Sequence, residues 1–128
     1  MPHIIVEYTD NIKNEARLPE LLKKLHNVLI ARPTIFPIGG IRSRAIELTN
    51  YRVADGNEDD AFVHVTLKIG NGRSGADKKA ACDEMFKVLK EHFSPLFEKR
   101  YLALSLELYE FVHPTHKYGN IHERFKKG

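Results

Sequence analysis

The chain has 128 residues, of which 42% are hydrophobic and 29% are charged, a composition typical of a globular protein with one core. We therefore predict a single domain over residues 1–128. The net charge of +3 permits anionic ligands but does not indicate nucleic-acid binding, and the one cysteine excludes an intrachain disulfide. Neither a membrane-spanning apolar run nor a basic-then-apolar leader is present, so we expect a cytoplasmic protein.

The first half of the chain predicts a strand, a helix and a strand. Ile4 to Tyr8 is rich in β-branched residues and predicts the first strand. One helix face is then marked by apolar residues at three-and-four spacing, namely Leu18, Leu21, Leu22, Leu25, Val28 and Leu29. Ile41 to Leu48 predicts a second extended segment. Tyr51 to Ala54 predicts a further short strand, which the turn residues Asp55-Gly56 would close.

The second half repeats this order. Ala61 to Ile69 alternates apolar and polar residues and predicts a strand. Ser74, with Asp77 three residues later, is typical of a helix N-cap. An apolar stripe predicts one helix through Cys82, Met85, Phe86, Leu89, Phe93, Leu96 and Phe97. Tyr101 to Glu110 predicts the last long strand, and the residues from His113 onward predict a polar tail.

This order predicts an α+β protein built from two β-α-β units, with both helices on one face of a mixed sheet. Because a helical crossover joins parallel strands, each unit should contain a parallel strand pair. The rows of valine and leucine in the two later strands also suggest that the second sheet face is apolar. So small a chain has no second helix layer to cover that face, and we expect other subunits to bury it.

Pro2 is the first candidate for chemistry. A small residue after Met1 favours removal of that methionine, which would leave a secondary amine on Pro2 in place of a non-basic amide. The strand that follows would hold this amine in a partly buried position, where burial and nearby cations lower an amine pKa. A neutral amine near pH 7 is an efficient general base. The alternative is that Met-Pro is simply how a non-catalytic chain begins.

Three arginines are candidates for anion binding. Arg42 and Arg44 are two residues apart, so a strand would direct both to the same face, where their planar guanidinium groups suit carboxylates. The alternative is a pair of solvated surface arginines. Arg73 follows Gly70-Asn71-Gly72 at the predicted start of a helix, where free N–H groups attract anions. The alternative there is a tight turn with a cap.

A metal or cofactor site is not predicted. His113, His116 and His122 lie in the proline-containing tail without a carboxylate at metal-binding spacing. His64 lies on the polar side of a predicted strand and is expected to be structural. Cys82 belongs to an apolar helix stripe and has no features of a nucleophile.

Taken together, several stretches resemble the tautomerase superfamily and, within it, the 5-carboxymethyl-2-hydroxymuconate isomerase family. These stretches are residues 1–7 (MPHIIVE), 35–37 (IFP), 40–44 (GIRSR), 61–70 (AFVHVTLKIG), 72–74 (GRS) and 113–115 (HPT). The resemblance extends over almost the whole chain. Its motifs are specific in combination, whereas Pro2 alone is not.

The resemblance implies a homotrimer that uses no cofactor or metal. Its substrate would be a small anionic dienol, converted into a 2-oxo acid during homoprotocatechuate breakdown. Pro2 matches the catalytic proline of the family, and Arg42 and Arg73 match its substrate-binding arginines. We expect Arg42 to act at the reacting end, as a catalytic residue, and Arg73 and Arg44 to bind carboxylates.

Two other functions stay open at this point. One is a cytokine-like or regulatory tautomerase relative with vestigial activity, although the Cys-x-x-Cys motif of that branch is absent from the sequence. The other is a β-α-β nucleic-acid-binding module. Phe62 is a candidate for base stacking in such a module, but the arginines and lysines are spread along the chain instead of forming one basic face.

Overall fold

Residues 1–126 are described by the structure, a computed structural model of the chain. Four strands form one sheet: β1 (His3–Thr9), β2 (Arg42–Leu48), β3 (Ala61–Gly70) and β4 (Leu102–Phe111). The helices are α1 (Leu18–Ile30), α2 (Gly75–His92) and the short α3 (Ser94–Phe97). Among these residues, no helix combines the length and apolar composition needed to cross a membrane.

The strand order is β2-β1-β3-β4, which confirms the two predicted β-α-β units. Strand β1 pairs in parallel with β2, and β3 pairs in parallel with β4. The two units meet through the antiparallel pair of β1 and β3 at the centre of the sheet. At one end of the sheet, the starts of β1 and β2 therefore lie beside the ends of β3 and β4, and at the other end the reverse holds.

The hydrophobic core lies between the sheet and the two long helices. Every second residue of β1 and β3 is buried, as in Ile4, Val6, Val63 and Val65. Helix α1 buries the predicted apolar stripe against them, including Leu21, Leu25, Val28 and Leu29. Ser74 caps α2 as predicted, because its hydroxyl accepts the backbone N–H of Asp77 at 3.1 Å.

The prediction that the second face of the sheet is apolar is wrong. Val63 is the register partner of Leu104, so the valine row of β3 and the leucine row of β4 share the helix-covered face. The opposite, open face is largely polar. There His64 lies 2.6 Å from the Ser105 hydroxyl through Nδ1 and 2.7 Å from the Glu107 carboxylate through Nε2. An oligomer can therefore not be inferred from two apolar faces.

The predicted strand at Tyr51 to Ala54 is also wrong, since these residues lie in an irregular loop. Ala54 has a positive φ of 51°, which does not fit an extended strand. The Tyr51 hydroxyl instead donates to the Asp10 carboxylate at 2.9 Å. The loop ends in residues 55–60, of which four are acidic, and it lies at the end of the sheet where β1 finishes and β3 begins.

The second predicted helix is shorter than its apolar stripe. Helix α2 ends at His92, and Phe93 leaves the helical conformation before α3 begins. Pro95 accounts for the break, because it has no N–H to donate and its ring crowds the preceding turn. As a result Phe93 is buried, whereas Phe97 at the end of the stripe is 59% exposed.

Candidate functional site

The start of the chain lies beside the first residues of β2 and the last residues of β3. Pro2 is buried, and its carbonyl accepts the backbone N–H of Arg42 at 3.1 Å, which extends the β1–β2 ladder by one bond. Gly40, in the short 3-10 helix Ile38–Gly40, packs close to both Met1 and Pro2. The sheet therefore fixes the position of the terminal amine, which in this chain belongs to Met1.

Burial and positive charge surround that amine. Burial lowers the pKa of the terminal amine below its ordinary value of 8.0, and Lys117, Arg73 and Arg42 lower it further, in that order. A cation near an amine disfavours the protonated form, because protonation would add a second positive charge. The structure thus brings Arg42 and Arg73 to the start of the chain, where an amine is held towards its neutral, basic form.

Arg73 is fixed by its own contacts. Its Nε donates to the Ile35 carbonyl and its Nη1 to the Gly70 carbonyl, each at 3.2 Å. Its guanidinium carbon lies 4.8 Å from the centre of the Phe36 ring. Two backbone acceptors and an aromatic face hold the side chain in place. Its charge is near enough to lower the pKa of the terminal amine, although Arg73 lines neither of the clefts described below.

Arg42 and Arg44 both lie on the open sheet face, as the two-residue spacing predicted. They differ in their surroundings. Arg42 lines a cleft beside Met1, and its Nε is buried without a hydrogen-bond partner in the described structure. Arg44 instead contacts His3, with 3.1 Å between Nη1 and Nδ1, and does not line the clefts that flank Met1. Arg42 is therefore better placed than Arg44 to meet a ligand beside the terminal amine.

The predicted polar tail folds back over the site. We call residues 113–125 the return segment; it ends in a 3-10 helix at Ile121–Phe125. Together with the start of the chain it encloses two clefts of about 360 and 560 Å³ that share Met1, Thr115 and Lys117. The smaller cleft also reaches Gly70 and Phe111, and the larger one reaches His3, Arg42 and His122.

The clefts carry uncompensated positive charge. Among the described residues, no aspartate or glutamate lines either of them. Burial lowers the pKa of His3, and Arg44, Arg42 and Lys68 lower it further. A space of this size, with a basic amine and the charges of Arg42 and Lys117 on its walls, suits a small molecule with more than one negative charge. Residues 1–126 contain no group of three histidine, cysteine, aspartate or glutamate side chains able to hold a metal.

Contact between the return segment and the 3-10 helix at Ile38–Gly40 leads to a prediction. A Cβ added to Gly39 would lie 2.6 Å from Nδ1 and 3.0 Å from Cα of His122, closer than side chains normally approach. We expect Gly39→Ala to displace the return segment, to lower activity and to speed its cleavage by protease. Gly75→Ala is the control, because a Cβ at Gly75 meets nothing within 4 Å. Equal activity and protease resistance in both variants would contradict this role of the contact.

The sequence did not reveal every residue of the site. Lys117 was missed because a lysine in a polar segment carries no spacing signal, and its place depends on how the chain returns. Phe36 was noted only as part of a resembling stretch, and its stacking on Arg73 depends on tertiary packing. The return of the segment had one available signal, the motif at His113-Pro114-Thr115, which lines the smaller cleft.

Comparison with known proteins places this geometry in a family. The family model for 5-carboxymethyl-2-hydroxymuconate isomerase matches residues 2–125, beginning at Pro2. The 5-carboxymethyl-2-hydroxymuconate Delta-isomerase of Escherichia coli is 48% identical over 98% of this chain and 100% of its own length. These matches do not favour the alternative of a cytokine-like relative.

Solved structures agree with this result. A 5-carboxymethyl-2-hydroxymuconate isomerase from Deinococcus radiodurans R1 is 53% identical, with a TM-score of 0.94 over 98% of this chain and 95% of that one. Another 5-carboxymethyl-2-hydroxymuconate delta-isomerase is 25% identical, with a TM-score of 0.91 over 100% of this chain and 95% of that one. The chain therefore belongs to the 5-carboxymethyl-2-hydroxymuconate isomerase family.

Proposed function

We propose that this protein isomerises 5-carboxymethyl-2-hydroxymuconate to its 2-oxo form in the breakdown of homoprotocatechuate. One observation carries the proposal: the terminal residue lines both clefts, and its amine has a lowered pKa. Cationic side chains line these clefts, and within the described residues no aspartate or glutamate does. The substrate is an anionic dienol, so it matches the charge of these clefts. Membership of the family supplies the identity of the substrate.

Pro2 would act as the general base and acid once Met1 is removed. The Pro2 nitrogen is then a secondary amine at the start of β1, close to the position that the Met1 amine occupies. Its lone pair accepts the proton of the 2-hydroxyl group, and the conjugated electrons shift so that a carbon of the dienol becomes basic. The protonated amine returns its proton to that carbon. The proton that leaves the substrate oxygen returns to a substrate carbon, so the isomerisation consumes no other reactant.

The arginines would divide the remaining work. Negative charge grows on the 2-oxygen as its proton leaves, and the free Nε of Arg42 is the donor we place there. We place Arg73 at a remote carboxylate, because the start of α2 beside it offers further N–H groups. Arg44 would contribute more weakly, through its contact with His3.

We also propose that the protein is a cytoplasmic homotrimer of single-domain subunits. Support for assembly comes from the open sheet face, which no helix of the described chain covers and which exposes Ile46 and Tyr109 among its polar residues. Sedimentation equilibrium at micromolar concentration should give three times the 14.7 kDa of one chain. A stable monomer with full activity would contradict the trimer.

The proposed activity can be tested by following the absorbance of the conjugated dienol. Purified protein that has lost Met1 should convert 5-carboxymethyl-2-hydroxymuconate to the 2-oxo isomer faster than the spontaneous reaction in the same buffer. Protein denatured by heat serves as the control. Conversion at the spontaneous rate by folded, Met1-free protein would overturn the proposed function.

Removing Arg73 should weaken binding more than chemistry. We expect Arg73→Ala to raise KM about tenfold and to leave kcat nearly unchanged, because a remote carboxylate is held equally in the ground state and transition state. Steady-state kinetics measures both constants, and thermal unfolding shows how far loss of the bonds to Ile35 and Gly70 destabilises the fold. Arg32→Ala is the control, because Arg32 also bonds a backbone carbonyl but, unlike Arg73, is not among the cations that lower the pKa of the terminal amine. A fall in kcat at constant KM would contradict this role.

A further inference from the structure

The substrate named in the proposed function carries one more carboxylate than a plain muconate. A muconate has a carboxylate at each end of its chain, and the carboxymethyl branch adds a third. The roles above place Arg42 at the reacting end and Arg73 at a remote carboxylate. Even if Arg42 also meets the carboxylate beside the 2-oxygen, these roles pair only two of the three carboxylates, so at least one further cation is needed if every carboxylate is to be paired inside the site.

Lys117 is the cation that neither the sequence patterns nor the arginine pair accounts for. It lines both clefts beside Met1, and only Met1 and Thr115 share that position. Its ammonium forms no hydrogen bond or ion pair with residues 1–126, whereas Lys126, also near the end of the chain, pairs with Glu123 at 3.0 Å. An exposed lysine without a carboxylate partner, in a cleft without acids, is available to an anionic ligand.

The position of Lys117 also separates it from the two arginines. Arg42 belongs to β2 and Arg73 to the turn between β3 and α2, so both are held by the sheet framework. Lys117 belongs to the return segment, which packs against that framework where His122 meets Gly39. It therefore approaches the clefts from a different wall. A branch that leaves the main chain of a substrate held by the arginines would extend towards such a wall.

We propose that Lys117 binds the carboxymethyl carboxylate and so makes the site selective for the tricarboxylate over 2-hydroxymuconate, which lacks that branch. This proposal rests on the proposed function. A lysine suits the task because its compact charge on a flexible stem can follow a rotating branch, whereas the planar fork of arginine suits a fixed carboxylate. The contact would be present in the ground state and transition state alike, so it should act on KM.

The test compares Lys117→Met with the wild type on both substrates. For 5-carboxymethyl-2-hydroxymuconate we expect KM to rise about tenfold with kcat within about twofold, as for a lost charge-assisted bond. For 2-hydroxymuconate KM should rise far less, because that substrate loses only the general positive charge of the clefts and no direct partner. The assay is run above pH 8.0, the ordinary pKa of a terminal amine, so that loss of the Lys117 charge does not alter the protonation of the base.

Two further variants sharpen the result. Lys117→Arg keeps the charge and should restore most of the selectivity. Lys126→Met removes a lysine that lines neither cleft and should leave both substrates unaffected. An equal rise in KM for both substrates, or no rise for either, would overturn the role of Lys117. Wild-type protein that turns over neither substrate would instead overturn the proposed function, so the two failures are distinguishable.

Discussion

A chain that keeps Met1 is expected to isomerise the dienol about a hundredfold to ten-thousandfold more slowly than the same chain beginning at Pro2, the range that general acid–base catalysis supplies. With Met1 in place the Pro2 nitrogen is an amide, which has no lone pair available to a proton. Preparations with Pro2 first, with Met1 retained and with glycine in place of Met1 can be produced by specific proteolysis of a fusion. Mass spectrometry verifies each first residue before the kinetics.

The control is Pro2→Ala with a free amine, which keeps a basic nitrogen and should retain part of the activity.

The direction of the pH dependence follows from the surroundings of the terminal amine. Burial and Lys117, Arg73 and Arg42 lower the pKa of the Met1 amine, and we expect the Pro2 amine to share these surroundings. The value of kcat/KM should then rise with pH and level off at a lower pH than an unperturbed proline amine would give. A fully active species that still carries Met1 would exclude Pro2 as the base.

Removal of Arg42 is expected to lower kcat about tenfold to a thousandfold, as for the loss of a donor to a developing oxyanion. The reason is the buried Nε of Arg42, which has no partner in the described chain and lies beside the start of β1. Arg42→Ala is compared with the wild type in steady-state kinetics. Arg42→Lys keeps the charge without the planar donor array and should recover only part of the rate.

Arg52→Ala is the matched control for Arg42. Arg52 is an exposed arginine at the other end of the sheet, where it donates to the Asp55 carbonyl, and its loss should not change the kinetics. If Arg42→Ala raises KM alone while Arg73→Ala lowers kcat, the two roles must be exchanged. Wild-type constants in both variants would show that neither arginine meets the substrate.

Much of the fold could be predicted because its signals are local. The alternation in β3 and the three-and-four spacing in α1 are read along short stretches, and both elements formed as predicted. Whether two apolar rows share a sheet face depends on strand register instead. Val63 and Leu104 are 41 positions apart in sequence but adjacent across the sheet, and nothing in either strand alone reveals that pairing. The prediction of a second apolar face failed for this reason.

The residues of the candidate site likewise divide into those that local patterns place and those that depend on tertiary packing. Pro2 and Arg42 stand at the starts of two strands predicted to be parallel, so a prediction of strands and helices is enough to bring them to one end of the sheet. Arg73 follows the end of β3 and joins them because β1 and β3 are antiparallel. Lys117 depends on the return of an irregular segment, which follows from packing against Gly39 and not from any periodic pattern. The stacking of Phe36 on Arg73 likewise joins two loops that no pattern relates.

The antiparallel pairing of the two β-α-β units gives the protein an electrical polarity along its strands. At one end lie the terminal amine, Arg42, Arg73 and Lys117; at the other lies the acidic loop of residues 55–60, whose charge Arg52 and Arg100 offset only in part. The field of such a charge separation attracts a trianion to the cleft end and repels it from the other. The substrate is then drawn to the cleft end before any contact forms. Salt weakens this long-range attraction at distances beyond about 10 Å at 0.1 M ionic strength.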